Sequence, residues 1–411
     1  MNIVIAGYGV EGKASFNYYN NPENTLAIAD EREYIETPQD VERLLGPDAF
    51  SQLDKFDLIV RSPSVSPKKL PYGDKVWSAT NEFFAKCPAV IVGVTGTKGK
   101  GTTCGLITSI LRAAGRTVHL VGNIGTPALE TLPNIQPNDI VVYELSSFQL
   151  WDLKHSPHVA VVLGIEPDHL DVHENMDDYV HAKGNIAAHQ SHDDVVIFDK
   201  NNVLSCRIAS SSPATKIEYP FAIDEFVSSL KLPGQHNREN AAAAIAAARQ
   251  FSVSDEAIKR GLNDFTGLEH RLKFVRELDG VSYYDDSFSS ATPATIVAAR
   301  AFDEPKILIV GGYDRGLEYG EFAKEIAATT NIKHIIIIGQ TKEKIADALE
   351  RVGCNQITRS QAVSMKEILA DATTHASRGD YVILSPGCAS FDMFKNFTDR
   401  GNQFIAAVEA L

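Results

Sequence analysis

Long apolar runs are missing from this 411-residue chain. No stretch approaches the ~20 residues a helix needs to cross a bilayer, so no membrane-spanning helix and no membrane partner are expected. Cysteine is scarce and odd in number: Cys87, Cys104, Cys206, Cys354 and Cys388 are scattered, with no CxxC pair. That argues against a disulfide framework or a cysteine zinc site and suits a reducing cytoplasm. A basic excess is lacking too. Lys and Arg number 39 against 53 Asp and Glu, a formal net charge of −14. A nucleic-acid partner is therefore not expected, and phosphate contacts should be local and made by loops. The opening MNIVIAGYG has no basic region before its apolar stretch, so it reads as a strand entering a turn and not as a signal peptide. What is present is ordinary for a globular protein, with 44% hydrophobic and 22% charged residues. The length suggests two or three domains.

Strand-like and helix-like segments alternate along the whole chain, the rhythm of α/β folds with parallel sheets. In the first part the strands are expected at Asn2 to Ala6, Leu26 to Asp30 and Asp57 to Val60. A second part begins near Pro88, with a β-branched strand at Ala89 to Val94 and a helix over Thr102 to Ala114 that ends at Gly115. Further strands are expected at Ile140 to Leu145, Val159 to Leu163 and Val195 to Phe198, followed by an alanine-rich helix over Asn240 to Arg249 that suits close helix–sheet packing. A third part starts near Leu268, with strands at Lys306 to Val310, His334 to Ile338 and Tyr381 to Leu384.

Seven constellations carry possible chemistry. GYGVEG, Gly7 to Gly12, follows the first strand, and Asp30 ends the second. Its glycines allow close backbone approach to a diphosphate at a helix N-terminus, although a plain tight turn has the same pattern and NAD is not separated from a UDP-sugar. TGTKGKGTT, Thr95 to Thr103, lies between strand and helix and reads as a P-loop. Backbone amides from Gly96 through Thr97, Lys98 and Gly99 to Lys100 would cradle phosphates, with the Lys100 charge beside them. Gly101 stands where a Ser or Thr is usual, leaving a magnesium-binding hydroxyl to Thr102 or Thr103. Glu144, at the tip of an apolar strand in VVYELSSFQL, is placed to hold Mg²⁺, against the alternative of a surface carboxylate. His169 in GIEPDHLDVH reads equally as a metal or substrate ligand and as part of a solvated loop. Lys183 in DDYVHAKGNIA reads by itself as a solvated helix lysine. GQHNREN, with Asn240, suits either a helix cap or an adenine contact. In the third part, Arg271, Asp286, Arg315 and the segment Leu384 to Gly401 lie on loops after strands, where open α/β sheets bind ligands.

Taken in order, TGTxGK, ELSSFQL, DHLD, the lysine after a tyrosine-containing helix, GxHNxxN, HR and SPGCASFDMFKNFxxRG resemble the Mur ligases, and among them the glutamate-adding branch. The resemblance covers the whole chain. It implies a Rossmann-like UDP-substrate domain (1–87), a central P-loop ATPase domain (88–267) and a Rossmann-like glutamate-binding domain (268–411). It implies ligation of glutamate to UDP-N-acetylmuramoyl-L-alanine through an acyl phosphate, in the cytoplasm, by a monomer. ATP and two Mg²⁺ are implied, with Lys100, Glu144, His169 and Lys183 as catalytic or metal-binding residues, Thr102 as a further ligand, and Lys183 carbamylated. Asn240, Arg271 and Asp286 would contact ATP. Val10, Glu11, Asp30, Glu31, Arg32, Asn123 and Gln149 would contact the UDP substrate. Arg315, Ser390, Phe391 and Phe397 would line the glutamate pocket.

The chain departs from the family pattern at several points. Lys98 replaces an asparagine and Ser64 a glycine, and Arg315 stands where a lysine is common. DSKATN becomes Asp286-Ser287-Phe288-Ser289-Ser290-Ala291. L-glutamate in place of D-glutamate is therefore an alternative, and a catalytically inactive nucleotide-sensing regulator a remoter one. An NAD-dependent dehydrogenase would leave the P-loop and Glu144 without a task, and a folylpolyglutamate synthase would not need GYGVEG.

Overall fold

The computed structural model describes every residue except 72, 125 and 233. Residues Met1–Leu230 with Gln235–Phe265 form one compact unit, and Lys231–Gly234 with Thr266–Leu411 form another. The first unit carries two sheets and the second carries one.

The N-terminal sheet contains β1 (Asn2–Ala6), β2 (Thr25–Asp30), β3 (Glu42–Leu45), β4 (Leu58–Arg61) and β5 (Val76–Ser78). The strands are parallel and lie in the order β3-β2-β1-β4-β5. The period-2 geometry of β1 sends Ile3 and Ile5 into one core and Val4 and Ala6 into the other, as a sheet covered on both faces requires. The connections reverse direction at β1, so a crevice opens beyond its C-terminal end, where GYGVEG begins.

The central sheet contains β6 (Val90–Thr95), β7 (Val118–Gly122), β8 (Ile140–Glu144), β9 (Val159–Val162), β10 (Val195–Asp199) and β11 (Thr215–Tyr219), again all parallel. Their order, β11-β10-β9-β6-β8-β7, puts β6 between β8 and β9. The switch point therefore falls at the end of β6, at the P-loop, with the loops after β8 and β9 beside it. The alanine helix begins at Gln235, earlier than expected, and runs to Arg249. Its alanines pack on the P-loop helix Lys100–Ala113 as well as on the sheet. The helix Asp255–Asp264 approaches that P-loop helix so closely that a Cβ on Gly261 would lie 2.4 Å from the Cα of Ile110.

A buried arginine joins the first two sheets. Arg61, at the end of β4, is 1% exposed. Its Nε and Nη2 grip Asp152 at 2.8 and 2.6 Å, Nη2 also donates to the Phe148 carbonyl at 3.0 Å, and Nη1 donates to Val65 and Ser62. Arg61→Ala leaves a carboxylate and several carbonyls without donors and is expected to cost about 3 kcal/mol or more. Both tryptophans, Trp77 and Trp151, lie in this unit. Urea unfolding followed by tryptophan fluorescence reads the loss, and an unchanged midpoint would overturn it.

In the second unit, β12 (Lys273–Leu278) and β13 (Val281–Asp285) form an antiparallel hairpin. Its two-residue turn, Asp279-Gly280, has both φ angles positive, which matches the twist of the flanking strands. Parallel strands β14 (Lys306–Gly311), β15 (Ile332–Ile338), β16 (Ile357–Arg359) and β17 (Tyr381–Leu384) complete the order β12-β13-β17-β14-β15-β16. Along β14, Ile307 and Ile309 enter one core while Leu308 and Val310 enter the other. The switch point lies between β14 and β17, at GGYDRG and SPGCAS. Bonds from the Gly311 amide to the Pro386 carbonyl (2.8 Å) and from the Tyr313 amide to the Ala389 carbonyl (2.9 Å) hold these two loops together.

Candidate active site

The loop after β6 is shaped by two glycines. Gly96 has φ +149°, and a Cβ there would lie 2.6 Å from the Cβ of Leu163; Gly99 has φ +84°, and a Cβ would meet Asn240 Oδ1 at 2.4 Å. The left-handed Gly99 starts the P-loop helix at Lys100, two residues before the expected position, with no side chain capping it. The positive end of that helix therefore faces the loop. Gly101 and Thr103 are buried in its first turn, with Thr102 half-buried between them. The Thr97 amide donates to the Gly164 carbonyl at 2.9 Å, so it belongs to the internal scaffold and not to the expected amide cradle. Thr97 Oγ1 accepts from the Glu166 amide at 2.9 Å and lies 3.1 Å from the Tyr179 hydroxyl. Lys98 is exposed and pairs with Glu166. Asn240 lies against this turn, its Oδ1 accepting from Thr103 Oγ1 at 3.4 Å.

Two lysines converge on one carbonyl. Lys100 Nζ donates to the oxygens of Gly96 (3.1 Å) and Thr97 (2.9 Å), and Lys183 Nζ donates to the same Gly96 oxygen at 2.8 Å. Lys183, on the helix Met176–Ala188, is 1% exposed and sits 4.6 Å above the Tyr179 ring. The reading of Lys183 as a solvated lysine is thus corrected: its helix turns this face onto the sheet. Burial, and then the neighbouring Lys100 charge, push its ammonium well below the usual lysine range.

Glu144 ends β8 opposite Val94 of β6, one residue before the P-loop strand ends. It is 1% exposed, so it is not the surface carboxylate of the alternative reading. Oε1 accepts from Asn123 Nδ2 at 3.3 Å, while Oε2 is buried with no hydrogen-bond partner. A buried anionic oxygen without a donor is costly, and a divalent cation is the group that offsets it. Among the described residues no preassembled group of three or more His, Cys, Asp or Glu could hold a metal ion. Glu144 fits Mg²⁺ as one carboxylate ligand whose partners come from elsewhere, the usual manner of magnesium beside phosphates.

The two histidines after β9 are treated differently. His169 is exposed with φ +53°, its amide on Asp168 Oδ1 at 2.9 Å and its ring against Phe148. His173 is buried between Asp178 (3.1 Å) and Ser147 Oγ (3.0 Å) and stacks on Phe148. It therefore braces the ELSSFQL segment.

On the N-terminal sheet, Gly9 begins the helix Val10–Tyr19 with open space where a Cβ would be. Val10 is 73% exposed at this end. Asp30 accepts from the Tyr8 amide at 2.7 Å and from the Arg32 amide, Nε and Nη2, and those Arg32 bonds lead in holding its pKa at about 2. Glu31 pairs with Lys69 at 2.6 Å. Gln149 links the two sheets. Its Oε1 accepts from the Ser146 amide and its Nε2 donates to Glu11 Oε1 at 2.8 Å. Asn123 is exposed beside Glu144; Gly125, which closes its GNIG motif, lies outside the described residues.

In the second unit Arg271 is half-buried. Arg315, Phe391 and Phe397 are exposed and Ser390 is buried. Asp286 is 6% exposed, with Oδ1 accepting from the Leu272 amide (3.0 Å) and Oδ2 from the hydroxyls of Ser289 and Ser385 (2.6 Å each). Burial raises its pKa from 3.8 to about 7, against the pull of those donors. The folded state thus keeps a proton that the unfolded chain releases. The resulting stability is full below pH ~4 and is lost as pH rises through about 7, at most about 4 kcal/mol. Native-state hydrogen exchange over residues 270–290 should show falling protection from pH 5 to pH 8, corrected for intrinsic exchange. Asp286→Asn should flatten that trend, and an identical slope in the variant would overturn the assignment.

Sequence reasoning missed Arg400. It is fully buried, donating from Nε to Ser287 Oγ (2.9 Å), from Nη2 to the Ser287 carbonyl (2.8 Å) and from Nη1 to the Cys388 carbonyl (3.1 Å). It ties the loop after β13 to the loop after β17, and burial lowers its pKa to about 10. It also missed His270, whose Nδ1 lies 2.6 Å from buried Asp285. The only signal for either was its place inside a quoted motif.

Residues 94–222 match the Mur ligase middle domain and residues 270–388 the Mur ligase glutamate ligase domain. The chain is 35% identical over 445 residues to the UDP-N-acetylmuramoylalanine–D-glutamate ligase of Clostridium tetani, covering 100% of this chain and 96% of that protein. It is 38% identical over 396 residues to the enzyme of the same description from Clostridium kluyveri, covering 89% and 85%. Among solved structures, the UDP-N-acetylmuramate–alanine ligase of Thermotoga maritima shares the fold, with a TM-score of 0.62 at 16% identity over 100% of this chain and 99% of that one. With P-loop, strand-tip carboxylate and three sheets in this order, the chain belongs to the Mur ligase family.

Proposed function

We propose that this protein is an ATP-dependent ligase that joins D-glutamate to UDP-N-acetylmuramoyl-L-alanine in peptidoglycan precursor synthesis. The observation that carries the chemistry is the convergence of Lys100 and Lys183 on the Gly96 carbonyl, at the end of the strand paired with Glu144 and its unpartnered buried oxygen. The chain-long likeness to D-glutamate ligases supports the choice of amino acid over the L-glutamate alternative.

The assigned reaction brings two anions together. The L-alanine carboxylate takes the γ-phosphoryl group of ATP, ADP leaves, and the glutamate amine then displaces phosphate from the acyl carbon. Lys100, able to leave its loop carbonyls for phosphate oxygens, offsets the repulsion, and the P-loop helix N-terminus adds its positive end. Glu144, a carbamate on Lys183, His169 and the Thr102 hydroxyl are assigned to Mg²⁺, which when bound screens charge on the transferring phosphoryl group. The depressed pKa of Lys183 favours the neutral amine that carbamate formation requires. Asn240, Arg271 and Asp286 are assigned to ATP, Asp286 also holding the loop beside Arg271 through the Leu272 amide. Residues 1–87 are assigned to the UDP substrate, 88–267 to ATP and 268–411 to glutamate. Within the first of these, the open helix end at Val10, with Glu11, Asp30, Glu31 and Arg32, receives the UDP group. Asn123 and Gln149 face the sugar–peptide part. Arg315, Ser390, Phe391 and Phe397 are assigned to the amino acid, Arg315 offering a guanidinium to a carboxylate. The step is cytoplasmic by this reading, and no helix among the described residues is long and apolar enough to cross a membrane.

The deciding experiment is phosphate release with ATP, Mg²⁺ and UDP-N-acetylmuramoyl-L-alanine, with D- and L-glutamate supplied separately and product masses measured. Turnover with D-glutamate alone is expected. Turnover with L-glutamate alone would move the stereochemical assignment, and silence with both would reject the ligase reading.

A further inference from the structure

Arg271 sits between two residues that L side chains adopt at a cost: His270 has φ +61° and Leu272 has φ +46°. Three bonds to the end of β13 and the segment after it hold this turn. His270 Nδ1 meets Asp285 Oδ2 at 2.6 Å, the Leu272 amide donates to Asp286 Oδ1 at 3.0 Å, and the Phe288 amide donates to the His270 carbonyl at 2.8 Å. Gly401 is packed so closely on the His270 ring that a Cβ there would lie 2.1 Å from Nδ1. A backbone held this way at non-glycine residues fixes where the intervening side chain starts. Its far end is met by Phe288: the Arg271 guanidinium carbon lies 3.8 Å from the ring centroid. Phe288 in turn stands edge-on to Phe397, with centroids 5.1 Å apart and planes at 84°. The ring is thus braced while 39% of the residue remains exposed.

We propose that Phe288 is a positioning residue that holds the Arg271 guanidinium over its ring face, in the position from which Arg271 serves the nucleotide assigned to it. A guanidinium held over an aromatic face is attracted by the ring quadrupole, which narrows the directions that its long side chain can take. The lysine of the DSKATN pattern would place a like charge against Arg271, so Phe288 and Arg271 form a unit in this chain. Phe288 acts through Arg271 and is assigned no contact with the reacting atoms.

The inference rests on the assignment of Arg271 to ATP, and the test separates the two. Initial rates with the full chain would be measured with ATP varied and then glutamate varied, for wild type, Arg271→Ala, Phe288→Leu, Phe288→Trp and Phe288→Lys. Phe288→Leu is expected to raise the ATP KM about three- to tenfold, the scale of a cation–π contact at a half-exposed site, with kcat and the glutamate KM within about twofold. Phe288→Trp should hold the ATP KM near wild type, and Phe288→Lys should raise it further than leucine does. If Arg271→Ala raises the ATP KM but Phe288→Leu and Phe288→Lys do not, the positioning role is rejected while the ATP role of Arg271 stands. If Arg271→Ala leaves the ATP KM unchanged, the nucleotide assignment fails and the positioning role with it. A selective rise in the glutamate KM of Phe288→Leu would make the ring a wall of the amino-acid pocket and overturn the proposal. Phe288→Trp with the ATP KM of the leucine variant would also overturn it.

Discussion

Lys183→Ala is expected to lose roughly 10²–10³-fold in turnover, the scale of removing one preorganised charge-stabilising group from a phosphoryl-transfer site. A lysine that is 1% exposed, with its ammonium on a backbone carbonyl and a second lysine at the same oxygen, is expensive to keep charged. Losing a proton relieves that cost. The neutral amine can then attack CO₂, forming an N–C bond and releasing a proton, which turns a cationic tip into an anionic oxygen donor. Such a donor is what the surroundings of Glu144 lack, since among the described residues no cluster of three ligands is preassembled. Short carboxylates added to Lys183→Ala should restore part of the activity, while Lys183→Arg, which stays cationic, should not respond to them. Phosphate release measures both. Wild-type turnover in the alanine variant would end the carbamate reading. Loss without rescue would assign Lys183 a role as an ammonium.

The second large effect is expected at Glu144, where activity and stability should move in opposite directions. Glu144→Gln preserves shape and the acceptor facing Asn123 but removes the charge. Turnover should fall by about 10²-fold or more, and the Mg²⁺ concentration needed for half-activity should rise. Stability should hold or increase by about 1–3 kcal/mol, because a buried carboxylate oxygen without a donor is a cost in the free protein. A structural carboxylate would behave in the reverse way, with activity kept and the fold weakened. Magnesium titration of phosphate release, beside urea unfolding read by Trp77 and Trp151, distinguishes the two cases.

Much of the framework was legible locally. β1 and β17 begin and end at the expected residues, and the strands at 26–30, 57–60, 89–94, 140–145, 159–163 and 195–198 lie within a residue of their expected limits. Continuous β-branched runs bounded by turns leave little choice when both faces of a sheet are covered. The Gly-rich turns were equally clear, because the backbone at Gly96 and Gly99 has no room for a Cβ. The weak strands escaped: Glu42–Leu45 and Val76–Ser78 are short and half-exposed, and pairing alone makes them strands. The β12–β13 hairpin could have been found from its Asp-Gly turn.

By itself, then, the sequence determined the alternation of strands and helices, the places of the phosphate-type turns and the motif order that marks the family. Only the tertiary structure decided which charged side chains leave water. Lys183 lies on a helix with polar residues on several sides, and Arg61 and Arg400 look like ordinary surface arginines until their partners arrive from 91 and 113 residues away. The unpartnered oxygen of Glu144 depends on the pairing of β8 with β6, and the seat of Arg271 on Phe288 depends on how two loops fold against each other. The physical reason is range. Periodicity and turn chemistry act over a few residues, whereas burial, charge pairing and a lysine's pKa are set by neighbours that the chain brings together only when it folds.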